Sequence, residues 1–584
     1  MPTISLNHSM MKRIQELNGA VYDGPILTDL LPNIGCPVES NDGDEIEIEV
    51  FPDRPDLLSH ETMAKAIRAF TGVGSIETKV EVSKGEFGIE VDRTMRGIRP
   101  VIMGAIVRSV NTGKGPQERD SFIQALMDHQ EKLHMTLGRK RSFSSIGVHD
   151  LSKLSPPFRY VSVSQDFSFT PLASEKEMSI SEILSSHPKG IEYSSLMEGL
   201  DSFPIILDSN DEVISFPPVI NGARTTVNED TTEFFIDVTG FDERACEACL
   251  LLVCLSLSEL GGAVESVEIT GWDGKVRTTP NFENRNHRVP NRLIEKILGV
   301  KLSDGSINEA INRMGGKLIE SRTITDGSER HERWSDCVVG EREHVFSMPR
   351  WRSDIMHPID IVEDIAIGYG YGNLPEVLSS IHIDSTPLGS SNLHRRIRMS
   401  MRGVGLQEIQ SLTLSNERDQ FEKTNWSPIP KVTTISNPIS VDHTLLRQFI
   451  FPSLMNILAS NRHHELPQKV YELGEVVHDG ENMFRVSWAC AEVGAGFSVA
   501  KGIVQSLLRD LGADDSSVSF RGIMDDSGPW ISGRGAKVFV GDNEIGEFGE
   551  VSPEVIQSFG IRTPIHAGEF DVGIISNSIS DPLQ

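Results

Sequence analysis

Basic charge is what this chain lacks most: 55 Lys and Arg stand against 84 Asp and Glu in 584 residues, a formal charge of −29. Such a surplus of acid keeps a protein soluble and excludes sequence-independent nucleic-acid binding through bulk charge. It leaves local basic patches as the only electrostatic route to RNA. Two are present, GRKR at Gly138–Arg141 and HRRIR at His394–Arg398. Long apolar runs are missing too. The longest, Cys249–Leu260, is interrupted by serines and is too short to span a bilayer. The N-terminal twenty residues contain no signal-peptide core, so a soluble cytoplasmic protein is expected. Cysteine is scarce and scattered: Cys36, Cys246, Cys249, Cys254, Cys337 and Cys490. Cys246-x-x-Cys249 is half a zinc site without its other half, and it lies in an apolar helical stretch. These thiols are read as core residues. Internal repeats and low-complexity tracts are absent as well.

The length calls for several cores, about four domains, and 38% hydrophobic with 24% charged residues describes globular chain. Period-two alternation in Asp44–Val50 predicts a strand, and the stretch after it a helix capped by Ser59 and closed by Gly72. Its apolar stripe is Met63, Ala66, Ile67 and Phe70. A Gly-, Lys- and Glu-rich bridge near 74–87 ends an N-terminal α+β domain, 1–87. An α+β block over 88–272 follows, with a helix at about 241–260. A third block, 277–374, opens with two short amphipathic helices. Pro, Gly and Ser mark 375–392 as a linker. Residues 393–584 read as an antiparallel sheet with flanking helices.

The third block closes on WRSDIMHPIDIVEDIAIGYGYGNLP, which carries Asp354, Asp360, Glu363 and Asp364. The last three fall at i, i+3 and i+4, on one helix face, with Ile361, Val362, Ile365 and Tyr369 roughly opposite. From the residues alone this is either a solvated acidic face or a cation site. In the second block, IDVTG puts Asp237 and Thr239 on the same side of a strand, just before a glycine that admits close approach. The bland alternative for Asp237 is a strand-ending turn residue. His463-His464-Glu465 lacks the spacing of a zinc helix and is assigned to surface.

Five stretches read together: FPDRPDLLSHETMAKAIRAFTG, LGRKRSFSSIGVHDLSKLSPPFRY, PPVINGARTTVNEDTTEFFIDVTG, MPRWRSDIMHPIDIVEDIAIGYGYGNLP and ISNPISVDHTLLRQFIFPSLMNILASN. In order and spacing they resemble the β subunit of phenylalanyl-tRNA synthetase, archaeal and eukaryotic type, over about residues 40–560. The oligonucleotide-binding insertion and anticodon-binding domain of the bacterial relatives have no counterpart. The resemblance implies a multidomain α+β fold. A degenerate class II aminoacyl-tRNA synthetase core lies at the C-terminus, preceded by a tRNA-editing domain and a small helix-rich domain carrying an acidic metal motif. It also implies pairing with a catalytic α subunit as an (αβ)2 heterotetramer, with phenylalanine and ATP bound at α, and tRNA(Phe) as a partner. The C-terminal block agrees with a catalytically silent core. Arg485 has no following Glu to form an ATP-holding pair, and Gly494 and Gly496 never lead to Glu-Arg.

By the same resemblance, Mg2+ sits at the αβ junction on Asp354, Asp360, Glu363 and Asp364, in a structural role; hard oxygen ligands suit that ion. The 88–272 block becomes the editing domain, where tyrosine misattached to tRNA(Phe) is hydrolysed. A site shaped for phenylalanine rejects one extra hydroxyl by only about two orders of magnitude. Asp237, Thr239, Ser215 and Asn221 are the candidate editing residues, and Arg139, Lys140 and Arg141 either meet the tRNA or form a solvated loop. The rival readings are a free-standing aminoacyl-tRNA deacylase and a tRNA-binding scaffold.

Overall fold

Alternation builds the first sheet. In Glu45–Glu49 the two isoleucines are buried between glutamates that face outward, and the strand lies between Thr3–Asn7 and Val38–Asp42, antiparallel to both. The helix His60–Thr71 follows as expected: Ser59 Oγ accepts the Thr62 N–H at 3.2 Å, and Gly72 ends it at φ 70°. The computed structural model describes residues 3–74, 80–325, 338–376, 385–525 and 528–579, in two compact units, Met1–Leu378 and Ser379–Gln584. Cys337 and residues 377–384 of the expected linker lie outside the described residues. No helix among those described is long and apolar enough to cross a membrane.

A buried polar seam joins the first helix to Glu243–Glu259. Lys65 Nζ lies 2.8 Å from Glu259 Oε1, Arg68 pairs with the other oxygen of Glu259, and Ser59 Oγ meets Ser256 Oγ at 3.0 Å. Glu61 sits in this seam at 5% exposure, and burial pushes its carboxyl from 4.5 up to about 7. The folded state therefore holds a proton that the unfolded chain releases near pH 4.5. Stability falls as pH rises from about 4.5 to 7, by an amount on the order of 2–3 kcal/mol. Glu61→Gln is expected to flatten that dependence. Melting temperatures of both proteins between pH 5 and pH 8 check it, and parallel curves would refute it.

The large sheet of the first unit has ten strands. Its order runs Ile220–Asn221, Val213–Phe216, Phe203–Leu207, Phe158–Val163, Val82–Val91, Ala263–Thr270, Val101–Arg108, Phe234–Gly240, Ser144–Asp150, with Val276–Thr279 also paired to Ala263–Thr270. The helix Glu243–Glu259, apolar and buried through its middle, packs on Val101–Arg108 and Phe234–Gly240. Its Cys246, Cys249 and Cys254 are fully buried core residues, as expected, and burial pushes the first two thiols up to about 11 and about 12.

Two expected boundaries do not survive. Residues 82–87, read as bridge, are the first half of the strand Val82–Val91, which pairs in parallel with Ala263–Thr270 and Phe158–Val163. Only Ile89 of this strand is buried, so partners far along the chain, not its own pattern, hold it. A cut at 87/88 falls inside it. The end at 272 likewise leaves out Val276–Thr279, whose register runs back along Val267–Thr270.

Beyond it, Arg285–Pro290, Arg342–Met348 and Lys317–Thr323 form a three-stranded sheet. Helices Asn291–Leu298, Asp304–Arg313 and Pro358–Tyr369 share a core with it around Ile294, Ile307, Ile311, Phe346, Ile361 and Ile365. The second unit is a seven-stranded sheet ordered Gln407–Glu408, Gln468–His478, Glu481–Ala491, Ile565–Asp571, Asn543–Val551, Trp530–Val540, Val518–Ile523. All its pairs are antiparallel except the short edge strand Gln407–Glu408.

Candidate functional site

Asp237 lies mid-strand, between two glycines: its register partners are Gly104 on one side and Gly147 on the other. Directly opposed residues of antiparallel strands project to the same face, so these glycines leave space beside the carboxylate. A Cβ at Gly147 would stand 2.1 Å from Asp237 Oδ2 and 2.6 Å from His149 Nε2. Asp237 is 1% exposed and His149 is fully buried, and their side chains meet at 2.7 Å between Oδ2 and Nε2. His149 Nδ1 lies 2.8 Å from the Thr225 hydroxyl. The Thr225 hydroxyl also lies 3.2 Å from the Gly222 carbonyl, and the contacts at the two ring nitrogens of His149 fix the ring plane. Among the described residues, Asp237 Oδ1 has no hydrogen-bond partner.

Asp237 forms part of the wall of a cavity of about 340 Å³, within the range of small-molecule sites. Ser215 and Asn221 line the same cavity. They sit on adjacent strands, and Ser215 Oγ donates to Asn221 Oδ1 at 3.1 Å. Met127, Val148, Leu172 and Val219 supply apolar walls. Three of the four candidate residues are thus brought together.

Thr239 is not among them. It lies behind the cavity wall, where Arg99 Nε donates to its hydroxyl at 2.9 Å and Ser145 Oγ meets it at 3.0 Å. Of these, only Ser145 reaches the cavity. Gly240 is approached by protein, not left open for a ligand: a Cβ there would lie 2.1 Å from the Phe143 carbonyl oxygen and 2.6 Å from Cys246 Sγ.

Arg141 is also redirected. It is 8% exposed, donates to the carbonyls of Pro218 and Val219 at 3.1 Å each, and pairs with Glu131 at 2.6 Å. His134 Nε2 accepts the Ile146 N–H at 2.8 Å, so its proton sits on Nδ1, toward Glu131. Bonding from His134, together with the Arg141 charge, holds Glu131 down to about 2. Arg139 and Lys140 remain exposed. His149, Glu131 and His134 were missed by sequence reasoning. The Ser145-x-Gly147-x-His149 alternation on one strand face was the available signal.

The acidic motif is dispersed by its own neighbours. Arg352, 4% exposed, grips Asp354 with Nε at 3.0 Å and Nη2 at 2.7 Å, and reaches Asp364 at 2.9 Å. Asp364 is itself buried, so it leaves the shared acidic face that the helical spacing predicts. Burial raises its carboxyl against the pull of Arg352, and its Oδ2 is buried without a partner. Asp360 accepts the Met356 and His357 N–H groups at 2.8 and 2.6 Å, capping the helix Pro358–Tyr369. Glu363 is exposed, with its carboxyl raised by partial burial and by the charges of Asp53, Asp364, Asp360 and Asp354. Among the described residues no three acidic, His or Cys side chains converge as a metal cage. In the second unit, Arg485 lies 2.8 Å from Glu569, and Glu569 also accepts the N–H groups of Ile450 and Phe451. His463 and His464 are exposed, with their rings 4.3 Å apart.

Three sequence families match this α+β chain in succession: "B3/4 domain" over residues 100–248, "tRNA synthetase B5 domain" over 288–371, and "Phenylalanyl tRNA synthetase beta chain CLM domain" over 374–572. They define an aminoacyl-tRNA synthetase subunit. A phenylalanine–tRNA ligase β subunit from Archaeoglobus fulgidus is 38% identical over 98% of both chains. One from Methanococcoides burtonii is 35% identical over 98% of this chain and 100% of its own. An N-terminal fragment of the phenylalanyl-tRNA synthetase β subunit from Pyrococcus horikoshii, a solved structure, aligns with a TM-score of 0.55 and 30% identity, over 63% of this chain and 99% of the fragment. The chain belongs to the phenylalanine–tRNA ligase β-subunit family.

Proposed function

We propose that this β subunit supports a catalytic α subunit, in an (αβ)2 heterotetramer, in the ATP-dependent attachment of phenylalanine to tRNA(Phe). Its own cavity hydrolyses Tyr-tRNA(Phe). The observation that carries the editing reading is Asp237: a buried carboxylate with one oxygen held by His149 and the other without a partner among the described residues, in the wall of a ligand-sized cavity. An oxygen so placed accepts either the tyrosine hydroxyl or a water. The water adds to the ester carbonyl, and the ribose oxygen leaves as the hydroxyl of free tRNA. Rejection of phenylalanine follows from the same geometry, since a ring without a hydroxyl leaves the carboxylate unpaired. Deacylation of preformed Tyr-tRNA(Phe) by the αβ protein tests this. No hydrolysis leaves a scaffold, and full activity of a chain that never co-purifies with α leaves a free-standing deacylase.

The second unit fits a catalytically silent class II core. Arg485 is neutralised by Glu569, whose remaining capacity is taken by backbone N–H groups, so this arginine is not free to hold ATP.

The acidic motif fits Mg2+ only in part. Asp360 is committed as a cap and Asp354 and Asp364 are committed to Arg352, which leaves Glu363 and the orphaned Asp364 Oδ2. Mg2+ keeps several waters and needs one or two carboxylates, and Glu363 with the unpartnered Oδ2 of Asp364 is the reading that this donor set supports. When bound, the ion would neutralise charge between subunits and take no part in catalysis. Glu363→Ala is expected to lower bound Mg2+ measured by equilibrium dialysis. Asp360→Ala is expected to cost about 1 kcal/mol of stability through the lost cap while leaving binding in place. Unchanged dialysis with Glu363→Ala removes the site.

A further inference from the structure

Three adjacent backbone positions of the GRKR loop are left-handed: Arg139 at φ 44°, Lys140 at 54° and Arg141 at 66°. L-residues avoid that region, and runs of it persist only where the surroundings enforce them. Here the loop is tied at both ends, by Phe143 N–H to the Gly138 carbonyl at 2.9 Å and by Arg141 on Pro218 and Val219. The strain turns Arg141 into the cavity wall and leaves Arg139 and Lys140 outside.

The loop stands at one end of the large sheet, and aromatic rings backed by arginines line that end. Gly240 pairs with Val101 and with Ser144, so Phe241, Phe143 and the helix Met95–Ile98 just before Val101 share it. Ala263–Thr270 runs antiparallel to Val101–Arg108 and delivers Trp272 to the same end. Arg139 stacks on Phe143 at 4.2 Å, Arg96 on Trp272 at 5.2 Å, and buried Arg99 backs Phe241 at 5.5 Å. Phe241 is 58% exposed. The four strands carrying this row span about 14 Å, three interstrand spacings.

Neighbouring carboxylates are spent elsewhere. Asp242 caps the helix Glu243–Glu259, Glu243 pairs with Arg277, and Asp92 binds Thr94. Among the described residues no carboxylate pairs with Arg96, Arg139 or Lys140. In a chain with a formal charge of −29, unpaired cations interleaved with open rings are the chemistry of single-stranded nucleic acid: guanidinium to phosphate, ring to base.

We propose that Arg96, Trp272, Phe241, Phe143, Arg139 and Lys140 form a stacking track for an unpaired RNA 3′ end, leading its terminal nucleotide to the cavity. The proposal rests on the editing reading for the direction of the track, but not for its existence. The track binds bases by their faces, without sequence readout, and binds the backbone through the three exposed cations.

The test measures binding of fluorescein-labelled tRNA(Phe), intact and lacking its last four 3′ nucleotides, to the full chain co-purified with its α subunit. Wild type is expected to bind the intact RNA about 10-fold more tightly than the shortened one. Phe241→Ala, and separately Arg96→Ala with Arg139→Ala, are expected to abolish that difference. The double variant changes only exposed side chains, so its folding is not in question. Its salt slope is expected to fall by about 0.7 for each lost phosphate contact. Hydrolysis of tyrosyl-adenosine, which is too short to touch the track, is expected to keep its wild-type kcat/KM in all variants. Variants that still discriminate the two RNAs overturn the track, as does competition by poly-glutamate equal to that by single-stranded RNA. A wild-type protein that hydrolyses neither substrate overturns the editing reading alone, and the binding comparison then still decides the track.

Discussion

Asp237→Ala leaves phenylalanylation near its normal rate and slows deacylation of preformed Tyr-tRNA(Phe) by about 100-fold or more. The split is expected because, on the function proposed above, charging belongs to the α subunit. Its size follows from what the carboxylate does: Oδ2 is held at 2.7 Å by His149 and Oδ1 has no partner among the described residues, so the group is aimed before any substrate arrives. Alanine removes the aimed oxygen and also orphans His149 Nε2 in a fully buried position, at a cost of about 1–3 kcal/mol. Asp237→Asn separates the two effects. Its amide oxygen still accepts from His149, so stability is retained, while the negative charge facing the cavity is gone. Deacylation rates and thermal stability, recorded on the same samples, decide the matter. A well-folded Asp237→Asn protein with wild-type deacylation removes Asp237 from the chemistry.

Arg352→Met carries the largest expected cost to folding, about 3–5 kcal/mol, the usual consequence of removing one partner of a buried ionic group. Methionine matches much of the volume, so the loss is electrostatic. Although burial opposes its charge, Arg352 is held well above its ordinary value by Asp354, Asp364 and Asp56. It also donates to the Met314 carbonyl at 3.2 Å. Without it, Asp364 is left buried with neither oxygen paired. Adding Asp364→Leu to the variant is expected to restore much of the loss, because replacing both members by apolar groups approaches neutrality. Denaturant titration of the three proteins measures the cycle. A cost below about 1 kcal/mol for Arg352→Met would mean that water already screens the cluster.

What the sequence could announce was whatever depends on near neighbours. The Ser59 cap, the Gly72 stop and the alternation in Glu45–Glu49 are local, and each stands where its pattern put it. Ser215 and Asn221 are local register partners, whereas Asp237, from a strand near the other end of the sheet order, was joined to them in advance only by the family resemblance and reached the same cavity through the fold. Thr239 did not, although it shares a strand face with Asp237. Its hydroxyl is claimed by Arg99, which is 140 residues away in sequence, and no spacing rule reports such a claim. Arg352 likewise lies within the acidic motif but reads as a bystander until the fold closes it on Asp354 and Asp364. The acidic stretch was read correctly as helix, but the spacing that put Asp364 on one face with Asp360 and Glu363 did not show that the fold buries it against Arg352. Charge patterns show which groups must be neutralised, but not by what.

The strand Val82–Val91 sets a clock on synthesis. Val82 pairs with Val264, so at about 5–20 residues per second the ribosome needs roughly 10–40 s after making one to supply the other. Ile89–Val91 can meet Phe158–Tyr160 earlier, but through that interval the edge that faces Ala263–Thr270 waits with its backbone N–H and C=O groups unmatched, the state in which nascent chains find wrong partners. Its sequence, VSKGEFGIEV, meets the delay with Lys84, Glu86 and Glu90 spaced among the apolar residues and with two glycines that weaken any early pairing. The same composition that disguised it as a bridge is what keeps its second edge open until Ala263–Thr270 emerges.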